Sequence, residues 1–454
     1  FGHIIQPILE QYPAETMRPG DLYWYNDCYA TDGGVSHLND QVFAAPVFVD
    51  GKLSAFSQSW AHFHDIGGAW PGSMSPTATE IFQEGLMIPP VRLYRAGVLN
   101  EEIFRLFIRN SRFPLLIQGD TRALTAAVRL GERRILDLFT RFGRALVLDA
   151  FERLNQQTEG VVRARLRSAF AQGRHHFADV IETDGQGNGP FKIRLVMDVQ
   201  PDRIVFDARD TDDQAPGPVN WIMNRAVPRM IFGIYFSGDD SSLMLNEGTM
   251  RAIDAVELRE GSLLRPRFPA PLCQRGLTMA RMVNMCAGLL NVANGGNANA
   301  GGSSYALWTV RGTYDSGEPF LMNDGVGVGF GARPYADGHD AVYFVAQENN
   351  PAEYLDQLFP ARLLRYAINR DSGGPGRFRG GCGVVREIEW LGGDAILSNR
   401  LDGSIAQPWG VSGGKSGRPG KVVLNPGRVG ERALPPLGDN TVIRKGDVIH
   451  IETT

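Results

Sequence analysis

The chain has little cysteine and little charge imbalance. Its four cysteines, Cys28, Cys273, Cys286 and Cys382, lie far apart among 454 residues, with no Cys-x-x-Cys pair. That spacing argues against a disulfide framework and a thiolate zinc site, and it favours a reducing compartment, the cytoplasm. Lys+Arg number 46 and Asp+Glu 50, a formal net charge of −4. A nucleic-acid-binding chain usually carries a clear basic excess, so nucleic acid is not expected as a partner. No apolar run approaches the roughly 20 residues that span a bilayer, so no membrane partner is expected. A phosphate-binding Gly-x-x-x-x-Gly-Lys-Ser/Thr loop is missing. The nearest piece, Gly413-Gly414-Lys415-Ser416, lacks the first glycine at that spacing and an evident following helix. No Gly-x-Ser-x-Gly elbow precedes a helix. The chain starts at Phe1 rather than Met, without a signal-peptide pattern, so its natural start is expected upstream.

What the chain has in excess is glycine, 54 residues against a usual share of about 7%. Most lie in the second half and at turns, which points to loop-rich β structure. The alternating glycines of 324–331 read first as close packing of strands or loops, and second as a ligand-contact loop. The run 373–381 reads first as a turn; with Arg377 and Arg379 it could also hold an anion. Hydrophobic residues make up 43% of the chain, enough for a sizeable core.

Along the chain, Gln41–Val49 and Lys52–Ala61 are β-prone runs on either side of Asp50-Gly51, a pair suited to a type I′ hairpin turn. Asn100 can cap a helix that begins at Glu101, and helical spacing continues over 123–142 and 146–170. Period-two patterns return at 176–181, 191–199 and 203–207. Residues 219–236 and 275–293 read as apolar helices, and 341–347, 383–391 and 441–451 as strands. The class is therefore α+β, with β-rich regions and an inserted helical block. The expected division is a hairpin region over 1–98, the helical block over 99–172 and a Gly-rich α+β region over 173–454.

A two-residue turn at Asp50-Gly51 pairs residues whose numbers sum to 101. Asn39 then faces His62 and His37 faces His64; a bulge at Pro46 would shift this register but not the neighbourhood. Three of the eight histidines, with Asp40 and Asp65, gather at the open end of one hairpin. Two imidazoles and a carboxylate suit a divalent transition metal with open coordination positions. A hydrogen-bonded polar cluster without metal is the other reading. His175, His176, His339 and His450 read as structural or exposed, and Cys28 as a packed thiol.

Motifs in a fixed order run the length of the chain. They include Gly20-Asp21, Tyr25-Asn26-Asp27, Gly33-Gly34 and His37-Leu38-Asn39-Asp40. Pro46-Val47-Phe48-Val49-Asp50-Gly51, Asp65-Ile66-Gly67-Gly68 and Thr79-Glu80-Ile81-Phe82-Gln83-Glu84-Gly85-Leu86 follow. Leu245-Asn246-Glu247-Gly248, Gly331-Ala332-Arg333-Pro334 and Asp371-Ser372-Gly373-Gly374 continue the order. Together they resemble the hydantoinase B / oxoprolinase family. The chain departs from the family pattern at Cys28 and at Asn39, both beside the histidine cluster.

The resemblance implies a B-type subunit that works beside an A-type subunit, in a hetero-oligomer whose ATP-Mg sits on the A-type partner. It implies ATP-dependent opening of hydantoins, oxoproline or lactams, or ATP-dependent carboxylation of ketones with bicarbonate. The substrate is in each case a small-molecule carbonyl compound. Cyclic-amide hydrolysis is preferred here because it names the family. The resemblance also implies a divalent metal, Zn or Mn, on His37, Asp40 and His62. A further aspartate ligand of some relatives would fall before Phe1. His64 and Asp65 are then expected as catalytic groups that orient the ligands or relay protons. A non-catalytic scaffold for the A-type partner is the alternative of a different class.

Overall fold

The computed structural model describes residues 2–238, 242–303, 306–343 and 350–454. The first sheet is built from β1 (Leu22–Tyr25), β2 (Asp40–Val49), β3 (Lys52–His62), β4 (Val91–Arg95) and β5 (Val98–Leu99), in the order β3-β2-β1-β4-β5. Asp50 and Gly51 take φ of 50° and 72°, as a type I′ turn requires. The β2–β3 ladder starts at Val49↔Lys52 and Phe48↔Leu53, then resumes at Val47↔Ala55, so Ser54 is an unpaired bulge residue. Every later pair is displaced by one, and the strands end at Asp40↔His62. The expected facing of Asn39 with His62 is corrected by that single extra residue. The Arg144 guanidinium holds the bulge by donating from Nε to Ser54 Oγ at 2.7 Å.

A short helix, α1 (Gln6–Gln11), precedes this sheet, and α2 (Glu101–Asn110) follows it. The α2 N-terminus is capped by Asn100, whose side chain accepts from the Ile103 amide. Phe107 on α2 is buried edge-on against Trp24 at 4.7 Å. Helix α3 (Pro114–Phe142) lies across β2 and β3. It buries Ile117, Leu124 and Val128 in the same apolar cluster as the sheet. Gly143, at φ 75°, separates α3 from α4 (Arg144–Ala169). Helix α4 carries Val162 and Leu166 into a second cluster. The helices of 99–172 thus contribute to two cores.

The second cluster packs under the sheet β6-β7-β8-β9: β6 (Gly173–Ile181), β7 (Phe191–Val199), β8 (Ile204–Asp207) and β9 (Ala255–Glu257). Helices α5 (Ala226–Ser237) and α7 (Arg275–Asn294) complete it, and the short α6 (Glu247–Arg251) packs against α4 and α5. The helix expected from 219 begins only at Ala226. The preceding segment runs alongside 263–264 instead, with Trp221 and Met223 amides donating to the Leu263 and Leu264 carbonyls. Helix α7 is buried on nearly all sides, which explains its even apolar pattern.

The third cluster lies between two further sheets. One has the order β11-β10-β14-β17, from β10 (Ala306–Thr313), β11 (Pro319–Gly325), β14 (Ala395–Leu401) and β17 (Leu437–Ile443). Between them in the chain come α8 (Ala352–Leu358), β12 (Ala361–Ile368) and β13 (Val384–Trp390). These two strands join β15 (Lys421–Leu424), β16 (Arg432–Leu434) and β18 (Val448–Glu452) in the order β12-β13-β18-β15-β16. The strand expected over 441–451 is in fact two, split by a turn in which the Asp447 amide donates to the Arg444 carbonyl. The two halves belong to different sheets. Most of the strand expected over 341–347 lies outside the described residues.

Close packing accounts for the glycine-rich segments. A Cβ on Gly373 would stand 2.0 Å from the Gly380 carbonyl oxygen, and one on Gly329 2.0 Å from that of Gly381. Backbone would have to move to admit either. Gly373→Ala is therefore expected to destabilise the fold by about 1–3 kcal/mol, read as a lower midpoint in thermal unfolding. An unchanged midpoint would contradict the packing account.

Candidate metal centre

The strand ends bring three ligand atoms together. His37 Nε2 lies 3.0 Å from Asp40 Oδ1 and 3.1 Å from His62 Nδ1, and the last two are 3.6 Å apart. Ligands bound at about 2.1 Å in octahedral or tetrahedral geometry stand roughly 3.0–3.5 Å from one another. Among the described residues, this is the one group of three or more such side chains with converging ligand atoms. His37 and Asp40 are buried, while the His62 side chain is 40% exposed.

The protonation states suit a cation. Burial, then the Arg275 charge, lowers His37 to about 3 against the pull of Asp40, so its imidazole is neutral at neutral pH. Burial would raise Asp40, but the facing imidazoles and Arg275 outweigh it and hold the carboxyl well below its usual range. A neutral His37 has one ring hydrogen, and Nε2 can direct it to only one of its two close neighbours. A cation at the centre would satisfy all three lone pairs at once. These donors therefore fit a divalent metal.

Local turns set this geometry. The Asp40 amide donates to the His37 carbonyl, closing the turn that leads into β2. Asn26 donates to the Leu38 and Leu86 carbonyls and accepts from the Ile88 amide, locking the loop from beneath. Asn39 donates to the Phe63 carbonyl at 3.0 Å. It thus ties the turn to the end of β3 and is structural.

The remaining sequence candidates separate. His64 faces the same cavity as the ligands and packs edge-on against Phe113. Burial lowers its pKa, against Asp65 and a hydrogen bond with the Leu321 backbone. Asp65 is fully buried and does not line the cavity. Its carboxylate accepts from the Gly67, Gly72 and Arg112 amides and from the Arg112 guanidinium at 3.0 Å. The oxygens expected to serve the metal site instead fix the loop after β3. His450 bridges Glu387 and Glu452, consistent with its structural reading. All four cysteines are buried and free. Burial pushes the Cys28 thiol well up, consistent with a packed thiol.

Sequence reading missed Ser36 and Arg275. Ser36 Oγ donates to Asp40 Oδ2 at 3.0 Å and accepts from Arg275 Nε at 2.9 Å. Arg275 Nη2 is 3.8 Å from the same carboxylate oxygen. The first turn of α7, more than 200 residues away in sequence, thereby orients a candidate ligand. No local pattern marks that arginine. The ligands open onto a cavity of about 740 Å³ where the three apolar cores meet. Its walls come from the first hairpin, from α5 and α7, and from β10 and β11.

The family model described as hydantoinase B/oxoprolinase matches residues 1–454. The chain is 28% identical over 454 residues to the B component of a putative D-/L-hydantoinase of Pseudomonas sp. (strain NS671), covering 96% of this chain and 75% of that protein. Its fold matches ATP-dependent caprolactamase from Pseudomonas jessenii with a TM-score of 0.83 at 23% identity, over 99% of this chain and 79% of that one. It matches nucleotide-free acetone carboxylase with a TM-score of 0.86 at 16% identity, over 99% of this chain and 66% of that one. No helix among the described residues is long and apolar enough to cross a membrane.

Glu84 is a buried carboxyl that sequence reading placed only within a motif. Its Oε1 accepts from the Leu272 and Cys273 amides, joining the first core to the segment before α7. Burial raises its pKa to about 8, against these amides, the Cys273 thiol and Arg275. Cys28 and Tyr29 also face it. The folded state thus binds a proton that the unfolded chain releases near pH 4.5. The penalty is absent below that pH, grows as pH rises toward 8 and is complete above it. Glu84→Gln keeps the amide acceptor and removes the charge. It is expected to flatten the fall in unfolding midpoint between about pH 5 and 8. An equally steep fall in the variant would contradict a protonated Glu84.

Proposed function

The chain belongs to the hydantoinase B/oxoprolinase family, and from that premise we propose that it is the metal-bearing B-type subunit of an ATP-dependent cyclic-amide hydrolase. The observation that carries this is the triangle of His37, Asp40 and His62 opening onto a cavity large enough for a cyclic substrate. A zinc or manganese ion held there would polarise a carbonyl oxygen or lower the pKa of a water.

The chain's own residues would do the rest. Ser36 and Arg275 hold Asp40 Oδ2, leaving Oδ1 aimed at the two imidazoles. Neutral His64, on the cavity wall, can take a proton from an attacking water and return it to the leaving ring nitrogen. Asp65 acts at one remove, by fixing the loop that carries His64.

An amide carbonyl is a poor electrophile because its nitrogen donates into the carbonyl. Phosphorylation of its oxygen, at the expense of ATP-Mg on an A-type partner, removes that resonance and supplies a phosphate leaving group. A first water oxygen bonds to the carbon and the carbon–nitrogen bond breaks as the nitrogen gains a proton, which leaves an acyl phosphate. A second water then hydrolyses that acyl phosphate to the carboxylate, and phosphate departs. The labile phosphorylated species would pass to this cavity within the complex, in the cytoplasm.

Reconstitution tests this. Neither chain alone should open cyclic amides, whereas the mixture should do so with ATP and without bicarbonate. A strict bicarbonate requirement with a carboxylated product would instead place the chain in a ketone carboxylase. Full activity of a complex carrying His37→Ala would favour a non-catalytic scaffold.

A further inference from the structure

We infer that the cavity selects carbonyl compounds whose substituent is bulky and apolar, and disfavours small compounds and those whose substituent adds a carboxylate to the charge of the phosphorylated carbonyl. The inference rests on the reading of this cavity as the substrate site.

Size is the first argument. A volume of about 740 Å³ lies in the upper part of the range for drug-sized ligands, roughly 300–1,000 Å³. An unsubstituted five-membered ring or a three-carbon ketone would leave most of that space to water. The lining favours apolar groups. Beyond the ligands, the walls include Trp60, Trp221, Trp308, Met230, Met250 and Met279. Indole faces offer flat apolar contact, and methionine side chains adapt to irregular apolar shapes. Burying an apolar substituent against them is favourable at about 25 cal/mol per Å².

The charges on the walls disfavour a carboxylate. Two arginines line the cavity, and both are committed. Arg275 holds Ser36 and Asp40. Arg400 donates to the Met74 carbonyl at 2.6 Å. The segments outside the described residues contain no Lys or Arg. Three carboxylates, Asp40, Asp120 and Asp324, face the same space. Asp324 is paired with Arg386 at 2.9 Å, so that guanidinium is committed as well. His3 lies 3.6 Å from Glu247. The reacting carbonyl, phosphorylated or not, would lie at the metal ligands; a carboxylate on the substituent, away from them, would lose its hydration without gaining an uncommitted arginine or lysine. An apolar substituent carries no such cost.

The test is a set of titrations by intrinsic tryptophan fluorescence and calorimetry, on the metal-loaded chain in complex with its A-type partner and without ATP. The probes are 5-benzylhydantoin against hydantoin, acetophenone against acetone, and 5-oxoproline. The expected result is at least tenfold tighter binding of the larger member in one or both pairs, and no saturable binding of 5-oxoproline. Met230→Arg should weaken the larger probe at least tenfold and admit 5-oxoproline, while Met230→Leu should keep the wild-type order. Equal binding within both pairs would overturn the inference, as would saturable binding of 5-oxoproline to the wild type. Failure of every probe on protein that holds one equivalent of metal would overturn it too, and would leave the metal assignment standing. The expected order on protein that holds no metal would support the inference and contradict the metal assignment instead.

Discussion

Side chains alternate faces along a strand, so a one-residue slip in a ladder changes which residue sits opposite which. The candidate metal centre depends on one such slip. Without Ser54 as an extra residue in β3, a ladder counted from the Asp50-Gly51 turn would set Asn39 opposite His62. With it, Asp40 takes that place, and a carboxylate stands beside two imidazoles. The bulge is itself anchored, through Ser54 Oγ, to Arg144 at the start of α4. Helix α3, pressed on the same hairpin, fixes it further, with Ser57 Oγ donating to the Val128 carbonyl. The donor set is thus held by the hairpin and by the helices packed on it.

A second layer of constraint comes from buried charge at the junction of the three cores. Arg275 reaches from α7 to Asp40 in the first region. Arg281, further along α7, pairs with Asp402 in the third region and lies 3.6 Å from Asp179 on β6. Such pairs add little net stability once desolvation is counted, but breaking one strands a charge in the interior. Their consequence here is positional. They fix the three regions relative to one another around the cavity, and with them the ligands on one wall and the indoles and methionines beside them.

Much of this was legible in the sequence. The Asp50-Gly51 turn, the Asn100 cap, the long helices and the period-two strands between 176 and 207 each rest on local pattern, and the local pattern held. The fold class followed from the succession of strand and helix patterns, and the family from motif order. The cluster of His37, Asp40 and His62 was placed at the hairpin's open end, although the facing of individual residues was not, because bulges leave no reliable local mark. What pattern could not supply is set by distant chain. The segment 219–225 is extended because 263–264 takes its hydrogen bonds. Strand 441–451 divides between two sheets because its halves have different neighbours. Asp65 is drawn toward Arg112 and nearby amides, while Arg275 arrives from α7 to orient Asp40. Loop glycines such as Gly373 and Gly329, which admitted a ligand-binding reading, are explained by how closely their backbones pack.

A cation bound by His37 in the turn before β2 and by Asp40 and His62 at the paired strand ends is the central claim. The most direct measurement is elemental analysis of natively purified protein, alongside His37→Ala and His62→Ala variants whose folding is confirmed by circular dichroism. The account predicts close to one equivalent of zinc or manganese in the wild type, lost in both variants. Folded wild-type protein without metal, or metal retained in both variants, would contradict it.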